Sequence, residues 1–283
     1  MAKPDMVDGT GLSGWDRPLL LVGCGNMGGA ILARWLDSGL PADRVRVVDP
    51  AAPALASGVE VLRALPDALA PGTFVLIGIK PQHFQHLAAD LNTLLGRAEG
   101  SVVLSIMAGL PIALVRASLP QAGTIVRLMP NLPVRTGEGI VLTAAEEASA
   151  APQVERLLAP LGLVEPLASE ADFDLGTAVS GCGPAYVYRF IDALAVAATR
   201  LGLDPDQAAR LALQTVAGAA SAATRSAQSP AAMAEAVASP GGMTRQGMDV
   251  LDGGERLVDL MTDTLRAARD RGAELAGSAA LTA

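Results

Sequence analysis

Cysteine, histidine and lysine are each nearly absent from these 283 residues, which hold two of each. Cys24 and Cys182 share no short spacing with each other or with a histidine, so neither a zinc cluster nor a disulfide framework is expected. Two isolated thiols fit a reducing, cytoplasmic setting. His83 and His86 stand three apart near a helix start with no third ligand close by, which reads as a solvated surface pair and no metal site. Basic charge is also short: 21 Lys and Arg against 29 Asp and Glu leave a net charge of -8. Such a chain has no field to gather phosphate backbones or acidic lipid, so neither nucleic acid nor a membrane surface is an expected partner. No stretch approaches the about twenty uncharged apolar residues of a membrane span, and residues 1–16 read as a loose, flexible tail without a secretory apolar run.

What the chain does have is apolar bulk. Hydrophobic residues make up 51% and charged ones 18%, the balance of a soluble globular protein, and the length suits two domains. From residue 17 the pattern alternates. LLLVG (19–23) reads as a strand, MGGAILARWLDSGL as a helix and VRVVDP (45–50) as a second strand; TFVLIGIKP (73–81) and SVVLSIMAG (101–109) repeat the unit. TIVRLMPNLP, ERLLAPLG and GIVLTA carry the alternation to about Leu167. Near-continuous apolar strands bounded by glycine predict an α/β, Rossmann-like domain over 17–168, with a parallel sheet covered on both faces.

Beyond about Ala171 no strand is expected. AYVYRFIDALAVAATRLGL places Val187, Phe190, Ile191, Leu194, Ala198 and Leu201 on one helical stripe, and Asp204 before Pro205 is an N-cap candidate for the next helix. An all-α domain over 169–283 is predicted. Its many alanines leave little bulk for a private core, so part of it is expected to bury against a second copy of the chain in a homodimer.

The first chemical motif is G-x-G-x-x-G at Gly23, Gly25 and Gly28, directly after a strand and opening a helix. Gly23 permits the tight turn, Gly25 lets a pyrophosphate reach the backbone, and Gly28 lets helix and strand pack closely. Asp49 ends the second strand, where a carboxylate would accept hydrogen bonds from the adenosine ribose. It would repel a 2′-phosphate, and no arginine follows it directly, so between NADH and NADPH the residues lean towards NADH. Lys80, at the carboxyl end of another strand, is a candidate for the cofactor ribose or phosphate. The scarcity of lysine then excludes two carbonyl-reducing designs. Tyr186 is followed four later by Phe190, so the Tyr-x-x-x-Lys pair of short-chain dehydrogenases is missing, as is the second-domain lysine of β-hydroxyacid dehydrogenases. Cys182, with no histidine in its half of the chain, reads as structural or loop-lining.

ASPGGMT (238–244) spends a proline, two glycines and two hydroxyls on one loop between alanine-rich helices. With SGCGPAY (180–186), GIKP, LMPNLP and the glycine loop, all in the same order, the chain from about Leu19 to Leu275 resembles pyrroline-5-carboxylate reductase. The resemblance implies a Rossmann-like domain followed by a helical domain that forms an intertwined dimer, with larger assemblies of dimers in some members. It implies reduction of L-1-pyrroline-5-carboxylate to L-proline with NADPH or NADH, the last step of proline biosynthesis. Carried over by position, Gly23, Cys24, Gly25, Asn26, Met27 and Gly28 resemble the pyrophosphate loop, and Ile79, Lys80 and Pro81 the stretch along the cofactor ribose. Ile106, Met107 and Ala108 match the region near the nicotinamide. Ser239, Gly241, Gly242, Met243 and Thr244 match the substrate loop, in which the final threonine, here Thr244, hydrogen-bonds the ring nitrogen. Glu170 matches a glutamate ahead of the Ser-Gly-x-Gly-Pro-Ala turn.

The departures are specific. Cys182 stands where the family has serine, Met243 where it has threonine or alanine, and Asp49-Pro50 where many members carry a basic pair. A loop of small residues at a helix start offers bare N–H groups and a positive dipole end to the substrate carboxylate. A protonated imine is electrophilic already, so a missing lysine or histidine acid is no obstacle. Two other readings remain open from the residues: reduction of another cyclic imine, and a nicotinamide-binding protein without catalysis.

Overall fold

The computed structural model describes residues 11–55, 58–146 and 152–281. The chain divides into two compact units: residues 11–181 together with 268–281, and Cys182–Ala267. The first unit runs β1 (Leu19–Val22), α1 (Asn26–Asp37), β2 (Val45–Val48), β3 (Glu60–Leu62), β4 (Phe74–Ile77), α2 (Pro81–Leu95), β5 (Val102–Ser105) and α3 (Ile112–Ser118). It continues with β6 (Thr124–Pro130), β7 (Gly139–Ala145), α4 (Pro152–Leu158), β8 (Gly162–Pro166) and α5 (Phe173–Ser180). The eight strands form one sheet in the order β3-β2-β1-β4-β5-β6-β7-β8.

Strand pleating sorts the sheet's side chains onto two faces. Leu20, Val22, Val75, Ile77 and Val103 face one way and pack with α2 and α3 through Phe84, Leu91, Leu95, Ile112 and Val115. Leu19, Leu21, Val47, Phe74, Leu76 and Leu104 face the other and pack with α1 and α4 through Ile31, Leu32, Trp35, Leu157 and Leu158. Both faces are thus covered, and this explains why the central strands read as unbroken apolar runs with no alternation.

The sheet departs from the expected pattern at two places. β7 pairs antiparallel with β6 (Leu128↔Thr143), whereas every other pairing is parallel. The connection, residues 131–138, is shorter than the dozen or so residues a parallel crossover needs, so the chain turns back. β3 was not apparent in the sequence: it has only three residues, half exposed at the sheet edge. The expected change of domain at residue 168 compares with a unit boundary after 181, because Phe173 and Ala178 are buried. Phe173 belongs to the core face of α2 and α3.

Residues 11–16, expected as part of the tail, are built into the fold. Leu12 is fully buried and Trp15 nearly so. Trp15 packs edge-on to Phe74 with ring centroids 5.1 Å apart, and its indole N–H donates to the Arg17 carbonyl at 2.7 Å. Two large apolar side chains in a polar segment were enough to anchor it. Residues 1–10 lie outside the described residues.

The second unit contains α6 (Gly183–Arg200), α7 (Pro205–Arg225), α8 (Pro230–Ala236), α9 (Met243–Asp252) and the part of α10 (Arg256–Leu281) before residue 268. Asp204 caps α7 as its position ahead of Pro205 predicted, accepting from the Gln207 N–H at 3.0 Å. Ser229 does the same for α8. Among the described residues of this unit, the buried hydrophobic side chains are Ala208, Ala212 and Ala238. The stripe on α6 stays largely open: Phe190 is 52% and Leu201 90% exposed, and on α10 Val258 and Leu260 are 63% exposed. A helix set that buries only alanines cannot offset its own ordering entropy.

Replacing Trp15 by alanine is expected to lower unfolding stability by about 3 kcal/mol, the scale of a buried tryptophan truncation. An unchanged denaturation midpoint would return this segment to the status of a tail.

Candidate functional site

The glycine loop follows from the close approach of α1 to β1. Gly23 has φ +91, where a side chain is strained, and a Cβ there would lie 2.6 Å from Ile79 Cγ2. A Cβ on Gly28 would lie 2.5 Å from the Gly23 carbonyl oxygen. At Gly25, in contrast, a Cβ would meet nothing within 4 Å. Gly25 and Asn26 are exposed, Met27 is half-buried, and the α1 N-cap has no side-chain partner. The first-turn N–H groups of a helix have no carbonyl within it to bind. Open space above bare, positively polarised backbone is what a pyrophosphate fits, so the residues present suit a dinucleotide.

Asp49 holds this loop in place. One carboxylate oxygen accepts from the Cys24 N–H at 2.8 Å and the other from the Ala51 N–H at 2.9 Å. A charge-assisted bond of this kind contributes on the order of 1.5–3 kcal/mol. The sequence suggests Asp49 as an acceptor for a ribose; the structure shows it tying the end of β2 to the turn after β1. Carboxylate oxygens keep spare lone pairs, so the two tasks are compatible. The Cys24 thiol is pushed above its ordinary pKa by burial first and by the Asp49 charge second.

The other expected cofactor residues gather along the same sheet edge. The Gly78 N–H donates to the Val22 carbonyl at 2.8 Å and the Ile106 N–H to that of Ile77 at 3.1 Å. The carboxyl ends of β2, β1, β4 and β5 therefore stand side by side, and the order of strands reverses between β1 and β4, where open sheets bind ligands. Lys80 is exposed at the N-cap of α2, with Pro81 as the first helical residue. Ile106 is half-buried and Ala108 exposed, but Met107 is 1% exposed within the core and has only backbone to offer. His83 and His86 are exposed on α2, the expected surface pair.

In the helical unit, ASPGGMT forms a turn that ends on α9. The Gly242 N–H donates to the Ser239 carbonyl at 2.9 Å, Gly241 has φ +71, and Gly242 is the N-cap. Two consecutive glycines let the backbone enter the helix with no side chain just ahead of its first turn. Met243 is 93% exposed and Thr244 is exposed beside it, whereas the Arg245 guanidinium is taken by Glu235. The Tyr186 hydroxyl pKa is raised by burial first and by the neighbouring Cys182 thiol second.

The Glu170 carboxylate is engaged within its own unit. It belongs to the sheet unit, where its Oε1 accepts from Arg127 Nη1 at 2.8 Å and from the Ile112 N–H at 2.9 Å. Arg127 is buried, with its guanidinium carbon 3.9 Å from the centre of the Phe173 ring. The carboxylate neutralises that arginine and caps the start of α3. Asn131 of LMPNLP is likewise buried: it donates to the Ser180 carbonyl at 3.0 Å and accepts from the Ile140 N–H at 2.9 Å. These two side chains fasten α5 at both ends. The signal was present in the sequence, since an arginine inside an apolar strand needs a partner.

Residues 170–275 match the family model for pyrroline-5-carboxylate reductase dimerisation, and residues 19–109 that for NADP oxidoreductase, coenzyme F420-dependent. A pyrroline-5-carboxylate reductase of Pseudomonas aeruginosa is 35% identical over 268 residues, which cover 91% of this chain and 96% of that protein. The solved structure of the Coxiella burnetii pyrroline-5-carboxylate reductase is 30% identical with a TM-score of 0.79, over 92% of this chain and 98% of that one. The NADP-bound pyrroline carboxylate reductase of Plasmodium falciparum shares the fold at 23% identity, with a TM-score of 0.76 over 92% and 98% of the two chains.

With Cys182 replaced by serine, alkylation of Cys24 by iodoacetamide should be slower than that of a small free thiol near neutral pH. The rate should still be climbing where an unperturbed thiol is fully ionised. A rate that levels off earlier would contradict the raised pKa.

Proposed function

The chain belongs to the pyrroline-5-carboxylate reductase family, and from that premise we propose that it reduces L-1-pyrroline-5-carboxylate to L-proline with a nicotinamide cofactor, the last step of proline biosynthesis. The observation that carries this reading is the pairing of two bare helix starts in one chain: a glycine loop shaped for a pyrophosphate and the ASPGGMT turn shaped for a small carboxylate. The residues matching the two family models, 19–109 and 170–275, include one of these segments each.

A bound nicotinamide cofactor supplies the hydride. Residues 23–28 would hold its pyrophosphate, Asp49 its adenosine ribose, and Ile79, Lys80, Pro81, Ile106 and Ala108 the remainder along the strand ends, with Met107 contributing through its backbone. Asp49 favours the free ribose hydroxyls of NADH. On the substrate side, the backbone of Ser239, Gly241, Gly242 and Met243 receives the carboxylate at the start of α9, where the helix dipole is positive. The Thr244 hydroxyl hydrogen-bonds the ring nitrogen and orients the imine carbon. Holding the reacting carbons in line is the main contribution, since a protonated imine needs no further acid. Glu170, held through one carboxylate oxygen by Arg127 and the Ile112 N–H, offers its other oxygen to the substrate.

The exposed apolar stripe of the helical unit, within the region matching the dimerisation model, supports a homodimer. The two free cysteines and the absence, among the described residues, of a helix able to cross a membrane support a cytoplasmic enzyme.

Purified chain given the imine should oxidise NADH or NADPH in proportion to proline formed; no imine-dependent oxidation with either cofactor sinks the reading. Thr244→Ala is expected to lower kcat about tenfold or more, the scale of one hydrogen bond to the reacting group. Unchanged kinetics would remove Thr244 from the reaction. Sedimentation at micromolar concentration should give a dimer, and a stable monomer would overturn the assembly.

A further inference from the structure

Asp49 directly follows β2 with no basic residue behind it, since Pro50 and Ala51 come next. The neighbouring strand supplies what the sequence order lacks. β3 pairs in parallel with β2, with Val48 opposite Leu62, and the Asp49 N–H donates to the Leu62 carbonyl at 2.9 Å. The next residue of that chain, Arg63, therefore leaves the sheet beside Asp49. Its Nη1 donates to the Pro50 carbonyl at 3.0 Å, which holds the guanidinium over the turn that follows Asp49. Arg63 is exposed, and among the described residues it makes no ion pair, so most of its five N–H donors are left for a ligand.

A carboxylate and a guanidinium thus share the end of one strand pair, at the position where the fingerprint distinguishes its two cofactors. A ribose with free hydroxyls needs an acceptor there, and a ribose 2′-phosphate needs a cation with a planar fork of donors. Asp49 is turned to the Cys24 and Ala51 N–H groups by both of its oxygens, which fixes its orientation independently of Arg63. Other cations are less well placed. Arg46 lies earlier on β2 and donates to the Ala68 carbonyl, and Lys80 follows β4, two places along the sheet from β2.

We infer that Arg63 binds the 2′-phosphate of NADPH, so that the chain accepts NADPH alongside the NADH that Asp49 favours. This rests on the nicotinamide-cofactor reading above and adds a specificity residue to it. The expected dual use follows from the two charges: the phosphate is repelled by Asp49 and held by Arg63.

The test measures binding of each cofactor by titration calorimetry without the imine, so that it reads independently of turnover. Arg63→Ala should weaken NADPH about tenfold, the scale of one charge-assisted contact, and leave NADH within about twofold. Adenosine 2′,5′-bisphosphate should lose affinity in parallel with NADPH. Arg63→Lys should recover part of the NADPH affinity, and Arg97→Ala, a surface change of equal charge elsewhere on the unit, should alter neither. Equal weakening of both cofactors by Arg63→Ala, or an unchanged Kd for NADPH, overturns the assignment. A chain that binds both cofactors as expected and yet leaves the imine unreduced would refute the proposed reaction and leave Arg63 in place.

Discussion

The approach of α1 to β1 sets where everything else near the cofactor edge can stand. With Gly28 a Cβ away from collision with the Gly23 carbonyl, the helix can begin immediately after the strand and aim its unsatisfied N–H groups at the sheet edge. The Cys24 N–H bond to Asp49 then fixes the turn from the side, so that the end of β2 and the loop after β1 form one rigid piece. Because the parallel register continues outwards to β3, the same piece also carries Arg63. The character of the edge is therefore a consequence of backbone packing: side chains are absent at the turn after β1 and charged where β2 and β3 end.

The two units obtain stability by different means. The sheet unit buries large side chains on both faces, and even its polar members are neutralised inside it, as Arg127 is by Glu170 and the face of Phe173. The helical unit has well-capped helices but buries little beyond Ala208, Ala212 and Ala238. Capping and helix propensity define its elements, and in the proposed homodimer a second copy packed on the open stripe would supply the missing apolar contact. An enzyme built this way ties its folding to its assembly, and its stability then depends on protein concentration.

The absence of a lysine or histidine acid is consistent with the substrate. A carbonyl needs a proton delivered as hydride arrives, whereas an imine protonated at nitrogen becomes a neutral amine on hydride addition and needs no further acid. What remains for the protein is to position two small groups, and positioning is done well by backbone N–H groups and a single hydroxyl on a helix start. This gives the unusual composition of the candidate site a physical meaning.

Much of this was legible in the residues themselves. Apolar strands bounded by glycine announced the doubly covered sheet, Asp204-Pro205 announced a helix start, and Gly23, Gly25 and Gly28 announced the loop, because each of these depends on neighbours within a few positions of the chain. The alanine-rich helices announced a partner for the same local reason: their volume is written in the sequence. What depended on distant pairing was hidden. The reversal of β7, the short edge strand β3, the burial of Trp15 against Phe74, the capture of Glu170 by Arg127 and the placement of Arg63 beside Asp49 all join residues far apart along the chain. Local propensity carries no information about which of many possible partners a side chain meets, and only the register of the folded sheet makes that choice.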